Sequence, residues 1–469
     1  MANDHVPPQI LRNFDELASP PPGKTNKERL WLGYSADNLR SKSKKKSGDL
    51  GSNGDPYNEP DDYSNLDEVA APAPIDEDAE KGEPHLEDQR NGSSALPSHQ
   101  RSPRGSRLET EIYTIAHLTL FSILGTLSRL GLQALTNYPG APVQTPILWP
   151  NVAGSFILGF LSEDQRLFRP PASDSPQDKA GHDRNKHNAH KKTIPLYIGL
   201  AIGYCGSFTS FSSFIRDAFY ALSNALPVPI QHPSLASPPS PISTNINVHR
   251  NGGYSFLALL AVIISTVGLS LAALQVGAQL ALGCEKYTPS IAHLVIGRRK
   301  VVDRLSVFLA AGLWLAAVIM AIVPPDRHNP SPSTHETWRS QALFALVFAP
   351  LGCLLRFYAS VHLNGRMPSF PLGTFAVNTG GSALLAMFIA LQHAPVGGLV
   401  GCQVLQGMGD GFCGCLTTVS TWVGELKGLR RRHAWVYGAW SVGVGVCLFV
   451  IINGSLMWSQ GFKPALCMA

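Results

Sequence analysis

From Ile112 onward the chain alternates long apolar runs with polar connections, and nine runs reach the roughly 20 residues that match the hydrocarbon thickness of a bilayer. They cover approximately residues 112–135, 146–168, 194–220, 254–283, 305–323, 341–362, 371–392, 400–424 and 434–457. The third is unlike a plain anchor. Its middle reads Gly203-Tyr204-Cys205-Gly206-Ser207-Phe208-Thr209-Ser210-Phe211-Ser212-Ser213-Phe214, with hydroxyls and rings at a depth where an anchor carries Leu, Ile and Val. Hydrocarbon offers no water to loose backbone groups, so such an interruption is tolerated where protein or a water-filled cavity surrounds it. A second copy stands at Gly411-Phe412-Cys413-Gly414-Cys415-Leu416-Thr417-Thr418-Val419-Ser420-Thr421-Trp422, and both segments are candidate pore elements.

Before Ile112 the pattern vanishes. The first hundred or so residues are rich in Pro, Ser, Asp, Glu and Lys, with charge blocks such as Lys42-Ser43-Lys44-Lys45-Lys46. That stretch holds too little apolar surface to offset chain entropy, so residues 1–110 are expected to form a disordered cytoplasmic tail. Met1 to Asn13 has neither a basic n-region nor an apolar h-region, so no signal peptide is read there. The eight cysteines form no C-x-x-C pair, which points to neither zinc nor a secreted disulfide framework. The net charge of +5 does not indicate nucleic acid, because outside the tail the basic residues sit in short loops beside apolar runs.

Those loops set the orientation, since positive loops stay cytoplasmic. Arg101, Arg104 and Arg107 precede the first run; Lys179, Arg184, Lys186, Lys191 and Lys192 follow the second; Arg298, Arg299, Lys300 and Arg304 follow the fourth; Lys427 and Arg430 to Arg432 follow the eighth. With nine crossings all four clusters fall on one side, and the first and seventh connections, which lack Lys and Arg, fall on the other. The expected protein is multi-pass in the plasma membrane, N-terminus cytoplasmic and C-terminus outside.

The chain also repeats itself. Gly125 and Arg129 recur as Gly352 and Arg356, and Asn151, Gly154 and Ser155 recur as Asn378, Gly381 and Ser382, all 227 positions on. The third motif recurs at an offset of 208, and the missing 19 residues belong to the charged loop after the second run. Each copy has four runs and the fifth is left over, so the second copy is expected to lie upside down relative to the first. Inverted repeats of this kind build a site near the midplane where the halves meet. The expected fold is all-α: a disordered tail (1–110), a first four-helix repeat (111–284), a connector with a linker transmembrane helix (285–335) and an inverted second repeat (336–469).

These motifs resemble the fluoride exporter family, called Fluc or CrcB in bacteria, in its fused two-domain eukaryotic form. The pattern Gly…Arg, Asn-x-x-Gly-Ser and Gly-x-x-Thr-x-Phe-x-x-Phe is matched in full by Gly125, Arg129, Asn151, Gly154, Ser155, Gly206, Thr209, Phe211 and Phe214, and mostly by the second copy. The resemblance implies a passive, fluoride-selective channel, not an enzyme. It implies lipid as surroundings and no obligatory oligomer, because both units lie in one chain. The residues fit that expectation, since a small, tightly hydrated anion needs dense neutral donors. Asn151 and Asn378 carry amides, Ser155, Thr209, Ser210, Ser212, Ser213, Ser382, Thr417, Thr418, Ser420 and Thr421 carry hydroxyls, and Phe211, Phe214 and Trp422 carry ring edges.

The competing reading of the same residues is structural: membrane hydroxyls return to the i−4 carbonyl or join helices, and Arg129 and Arg356 either draw anions at a vestibule or pair with neighbouring acids or carbonyls. By resemblance the carbonyls of Gly206, Thr209, Gly414 and Thr417 hold a structural sodium ion. Val419 and Trp422 depart from the family's phenylalanine pair, which predicts one working and one vestigial path. A proton-coupled small-anion transporter is the alternative, with Asp217, Asp410 and Glu425 as its candidate relay; Asp217 and Glu425 are expected to mark helix ends.

Overall fold

A computed structural model describes residues 103–138, 141, 143–164, 166–168, 191–226, 251–288, 299–323, 342–394 and 398–462. The tail expected to be disordered lies, up to residue 102, outside them. Among the described residues every regular element is helical. In chain order these are α1 (Pro103–Thr136), α2 (Leu148–Glu163), α3 (Pro195–Ile198), α4 (Gly206–Phe208), α5 (Phe211–Leu222), α6 (Gly252–Gly283), α7 (Arg299–Ile322), α8 (Phe344–Leu363), α9 (Leu372–Gln392), α10 (Gly398–Gly407), α11 (Gly414–Leu416), α12 (Ser420–Gly428), α13 (Arg431–Phe449) and α14 (Ser455–Ser459). Wider π-type turns at Gly199–Cys205, Met408–Cys413 and Val450–Gly454 join α3 to α4, α10 to α11 and α13 to α14.

Seven of the described helical stretches are long and apolar enough to cross a membrane. The chain is a multi-pass, all-helical membrane protein. The expected second and eighth runs take other forms. The second is the 16-residue α2, and the eighth is the broken sequence α10–α11–α12. Burial separates core from periphery: the stretch Pro195–Leu222 is 89% buried, whereas those of α6, α7 and α13 are only 22% buried. The Ser/Thr-bearing break is therefore the packed centre, and Leu257, Ile264, Phe308, Trp435 and Trp440 point outward from those outer helices, as lipid-facing residues do.

Packing is close where side chains are small. An added Cβ at Gly159 of α2 would meet the backbone of Leu274 on α6, and one at Gly277 would meet the backbone of Phe156. The linker α7 lies along α1, where His117 Nε2 is 3.8 Å from Asp303 and Ser306 Oγ is 3.3 Å from His117 Nδ1. Trp314 of α7 also donates to the Val347 carbonyl of α8 (3.1 Å). Cys205, Cys284, Cys353, Cys413, Cys415 and Cys447 are free thiols, whereas Cys402 is disulfide-bonded.

Candidate functional site

The two breaks are where the backbone leaves the helix. Thr209 and Thr417 adopt extended φ/ψ of −93°/153° and −102°/149°. A buried backbone group without a partner is costly, so each break needs a substitute. Asn151 supplies one: its Oδ1 accepts from Ser210 N–H (2.9 Å) and its Nδ2 donates to Ser210 C=O (3.4 Å). Asn378 holds Thr418 in the same way, at 2.9 and 3.1 Å. Both amides are fully buried. Their first task is thus to replace the hydrogen bonds lost at the breaks, with one amide hydrogen of each Nδ2 left over.

Each break also caps the helix of the other half. Thr209 Oγ1 accepts from Val419 N–H (3.3 Å) and Ser420 N–H (3.2 Å) at the start of α12, where the helix has no cap of its own. Thr417 Oγ1 accepts from Ser212 N–H (3.0 Å) at the start of α5. Reciprocally, Ser420 Oγ donates to Cys205 C=O (3.2 Å) and Ser212 Oγ to Cys413 C=O (3.4 Å). Thr209 Oγ1 lies 3.1 Å from the hydroxyls of Thr418 and Ser420, and Thr417 Oγ1 lies 3.0 Å from Ser212 Oγ and 3.3 Å from Ser210 Oγ. The crossing is a neutral hydroxyl network shared by both copies, and it is closed to solvent.

The same rearrangement frees carbonyls. In an unbroken helix the N–H groups of Ser210 and Ser213 would reach the carbonyls of Gly206 and Thr209. Here they go to Asn151 Oδ1 and to Ser210 Oγ (3.3 Å). Thr418 and Thr421 N–H are likewise diverted to Asn378 Oδ1 and Thr418 Oγ1 (3.5 Å), which releases the carbonyls of Gly414 and Thr417. The turns α4 and α11 that carry the two glycines pack against each other. Four freed oxygens are the donor set a hard cation takes. Among the described residues no group of three His, Cys, Asp or Glu side chains could hold a metal ion.

Two buried arginines tie the halves together. Arg129 donates through Nη1 to Ser207 C=O (2.6 Å) in its own half and through Nη2 to Asp410 C=O in the other. Arg356 donates through Nε to Cys415 C=O (2.8 Å) and through Nη2 to Ile202 C=O (3.0 Å), the positions related by the 208-residue offset. The guanidinium groups lie where side chains at Gly414 and Gly206 would stand, so a larger residue at either position would push an arginine off its carbonyls. Of the two expectations for these arginines, the carbonyl-binding one describes what they touch.

Rings meet across the halves. Phe211 lies edge-on to Phe214 (centroids 5.6 Å, 81°) and to Trp422 (5.2 Å, 69°), and all three are buried. Among the described residues, Trp422 Nε1 is a buried donor with no hydrogen-bond partner, as is the Ser155 hydroxyl. The Ser382 hydroxyl donates to Asn378 C=O (2.7 Å), Ser213 lies beside Ser210 (3.0 Å), and Thr421 is half-buried.

To three acidic residues named from the sequence, the structure gives partners that the sequence reading passed over. Glu425, expected to mark a helix end, is fully buried: its Oε1 accepts from Thr374 Oγ1 (2.5 Å) and Asn364 Nδ2 (3.4 Å), and its Oε2 from Tyr437 O–H (2.6 Å). Asp217 sits inside α5, paired with Arg216 at 3.1 Å. A cavity of about 360 Å³ opens between α5, α9 and α10, lined in part by Arg216, Asp217, Gln392, Gln406 and Asp410. Gln406 donates to Asp410 Oδ2 (2.6 Å), so both residues meet in the lining of this cavity. Amphipathic spacing could have flagged Tyr437 and Ser441 on the buried face of α13, one turn apart.

Comparison with known proteins gives two matches to one family, described as CrcB-like protein, Camphor Resistance (CrcB), at residues 116–230 and 343–454. The chain is 54% identical to Fluoride export protein 1 of Neurospora crassa over 384 residues, covering 78% of this chain and 70% of that one. It is 32% identical to Fluoride export protein 1 of Candida albicans, covering 79% and 88%. The Fluoride-specific ion channel FluC of Pseudomonas paraeruginosa matches at 37% over 129 residues, which is 98% of its own length but 26% of this chain. One bacterial unit thus corresponds to a fraction of a chain that carries the family's pattern twice. No solved structure matches.

Proposed function

This chain belongs to the CrcB-like family, in a fused two-unit form, and on that premise we propose that it is a fluoride-selective channel through which fluoride leaves the cytoplasm down its own gradient. The observation that carries the reading is the crossing of the two breaks, a buried core of neutral hydroxyls with ring edges beside it. Such a lane replaces the water shell of a small anion with N–H, O–H and ring-edge partners, and the hydroxyls that form it carry no charge that would trap it. The pathway residues are Asn151, Ser155, Thr209, Ser210, Phe211, Ser212, Ser213 and Phe214 with Asn378, Ser382, Thr418, Ser420, Thr421 and Trp422.

The two four-helix units are read as opposed in the membrane, nine crossings in all, with the N-terminus cytoplasmic, the C-terminus outside and the plasma membrane as the site of action. One lane works, the one in which Phe211 faces Trp422 and whose mouth is the cavity beside Arg216 and Asp410; the other, with Phe214 and Val419, is vestigial. The test is efflux from proteoliposomes. Fluoride should leave far faster than chloride without a pH gradient, and Phe211→Ile should cut the rate at least about 10-fold, a change of roughly 1.4 kcal/mol in barrier. Because Glu425 is a buried carboxylate on α12, proton coupling is the reading this assay also decides: fluoride movement that stops when the pH gradient is collapsed would rule out the channel.

The freed carbonyls of Gly206, Thr209, Gly414 and Thr417 are proposed to hold a sodium ion that offsets the partial negative charge of the four oxygens and fixes the two breaks. A ligand bound only by the folded state raises its stability. Replacing sodium by N-methylglucamine in detergent solution should therefore lower the melting temperature by a few degrees, on the order of 1 kcal/mol or more; equal melting curves in the two salts would refute the site.

A further inference from the structure

The relation between the two copies assigns a counterpart to the cavity, and that counterpart is not open. Subtracting the offsets turns the cavity's Leu385, Phe388 and Ile389 of α9 into Leu158, Leu161 and Ser162 of α2, and its Leu405, Gln406, Gly409 and Asp410 into Tyr197, Ile198, Ala201 and Ile202. At that place stands Lys191, a lysine only 1% exposed. Its ammonium donates to the carbonyls of Leu161 (2.9 Å), Ser162 (2.8 Å) and Asp164 (2.9 Å) and lies 5.3 Å from the centre of the Tyr197 ring. Phe168 packs edge-on to Tyr197 (5.4 Å, 84°), and both rings are buried.

We propose that Lys191, Tyr197 and Phe168 form a built plug that closes the mouth of the second lane, leaving the lane beside the cavity as the route for fluoride. The proposal rests on the one-working-lane reading above and names what shuts the other. Three carbonyls use the three protons of an ammonium, so the plug's cation has no donor left for a passing anion. The carbonyls it takes belong to the end of α2, where helical acceptors are unpaired, which makes the lysine a helix C-cap as well as a filler. The plug also has an origin in the sequence. Phe168 and Lys191 flank the charged loop that makes the first copy 19 residues longer than the second. The insertion that distinguishes the copies is therefore bounded by two residues that fill one mouth, whereas the position related to Lys191 by the 208-residue offset is Leu399, an exposed apolar residue.

The test reads access rather than flux, so its failure and that of the one-lane reading are distinguishable. In detergent-solubilised full-length chain with Cys284→Ser and Cys447→Ser, single thiols are introduced as Gln406→Cys at the cavity and Ile198→Cys at its counterpart. A water-soluble maleimide should label Ile198→Cys at least about 10-fold more slowly than Gln406→Cys, because the site must open locally first. Adding Lys191→Met and Phe168→Ala should bring the two rates together, with fluoride efflux by the same plug variant in the native-cysteine chain staying within about twofold of wild type. Equal labelling with the plug intact, or continued protection of Ile198→Cys after its removal, overturns the proposal. Should the plug variant not purify as a single folded species, the comparison of the two thiols with the plug intact still decides.

Discussion

Asn151→Asp combined with Asn378→Asp is expected to abolish fluoride efflux, by at least about 100-fold, in a chain that still reaches the membrane. The carboxylate keeps the acceptor that Ser210 N–H and Thr418 N–H use, but it has no hydrogen to give their carbonyls. Each carbonyl left unpaired costs about 1–3 kcal/mol, and roughly 1.4 kcal/mol is already tenfold in rate. A negative charge also arrives at a crossing whose partners are neutral, where it repels an anion and is costly to bury. If the double variant protonates instead, its O–H restores the lost donor, and efflux should then partly recover as pH falls. A fluoride electrode reading normal efflux at neutral pH would sink the assignment of both amides.

The second large effect concerns the arginines. Arg356→Met should lower the melting temperature by on the order of 5 °C, because Cys415 C=O and Ile202 C=O lose a charged donor in a site closed to water. Arg356→Lys should recover only part of it, since a lysine cannot span both carbonyls as the guanidinium fork does. Arg129→Met should behave alike, through Ser207 and Asp410. The rival role, drawing anions to a vestibule, predicts the reverse: unchanged melting, with a lower fluoride rate that salt screens away. Melting curves and the ionic-strength dependence of efflux, measured on the same preparations, separate the two.

The roles of particular residues were only partly legible. Asn151 and Asn378 stand out in a sequence because an amide in hydrocarbon demands partners, yet their partners turn out to be backbone groups 59 and 40 residues away. Thr209 and Thr417 could be read as donors along a lane; that each caps the other half's helix depends on a crossing between residues more than 200 positions apart. Glu425 looked peripheral because it lies near the end of its helix, and it became a buried centre only when α9 and α13 brought Thr374 and Tyr437 to it. α2 is only 16 residues long, and the run from Gly398 to Gly428 is interrupted between Leu416 and Ser420, which is why seven helical stretches rather than nine are long and apolar enough to cross a membrane.

What the sequence determined by itself is what local composition and repetition fix: long apolar helices for a bilayer, two copies of one unit, the places where helices must break, and residues chemically able to partner an anion. Those follow from solvation and from covalent order along the chain. Tertiary structure alone decided which donors are already spent, which rings face one another, and which of two related mouths is filled. The reason is that a hydrogen bond or a packed ring belongs to a pair. With partners drawn from distant helices, neither member of the pair records in its own neighbourhood whether the other has come within reach.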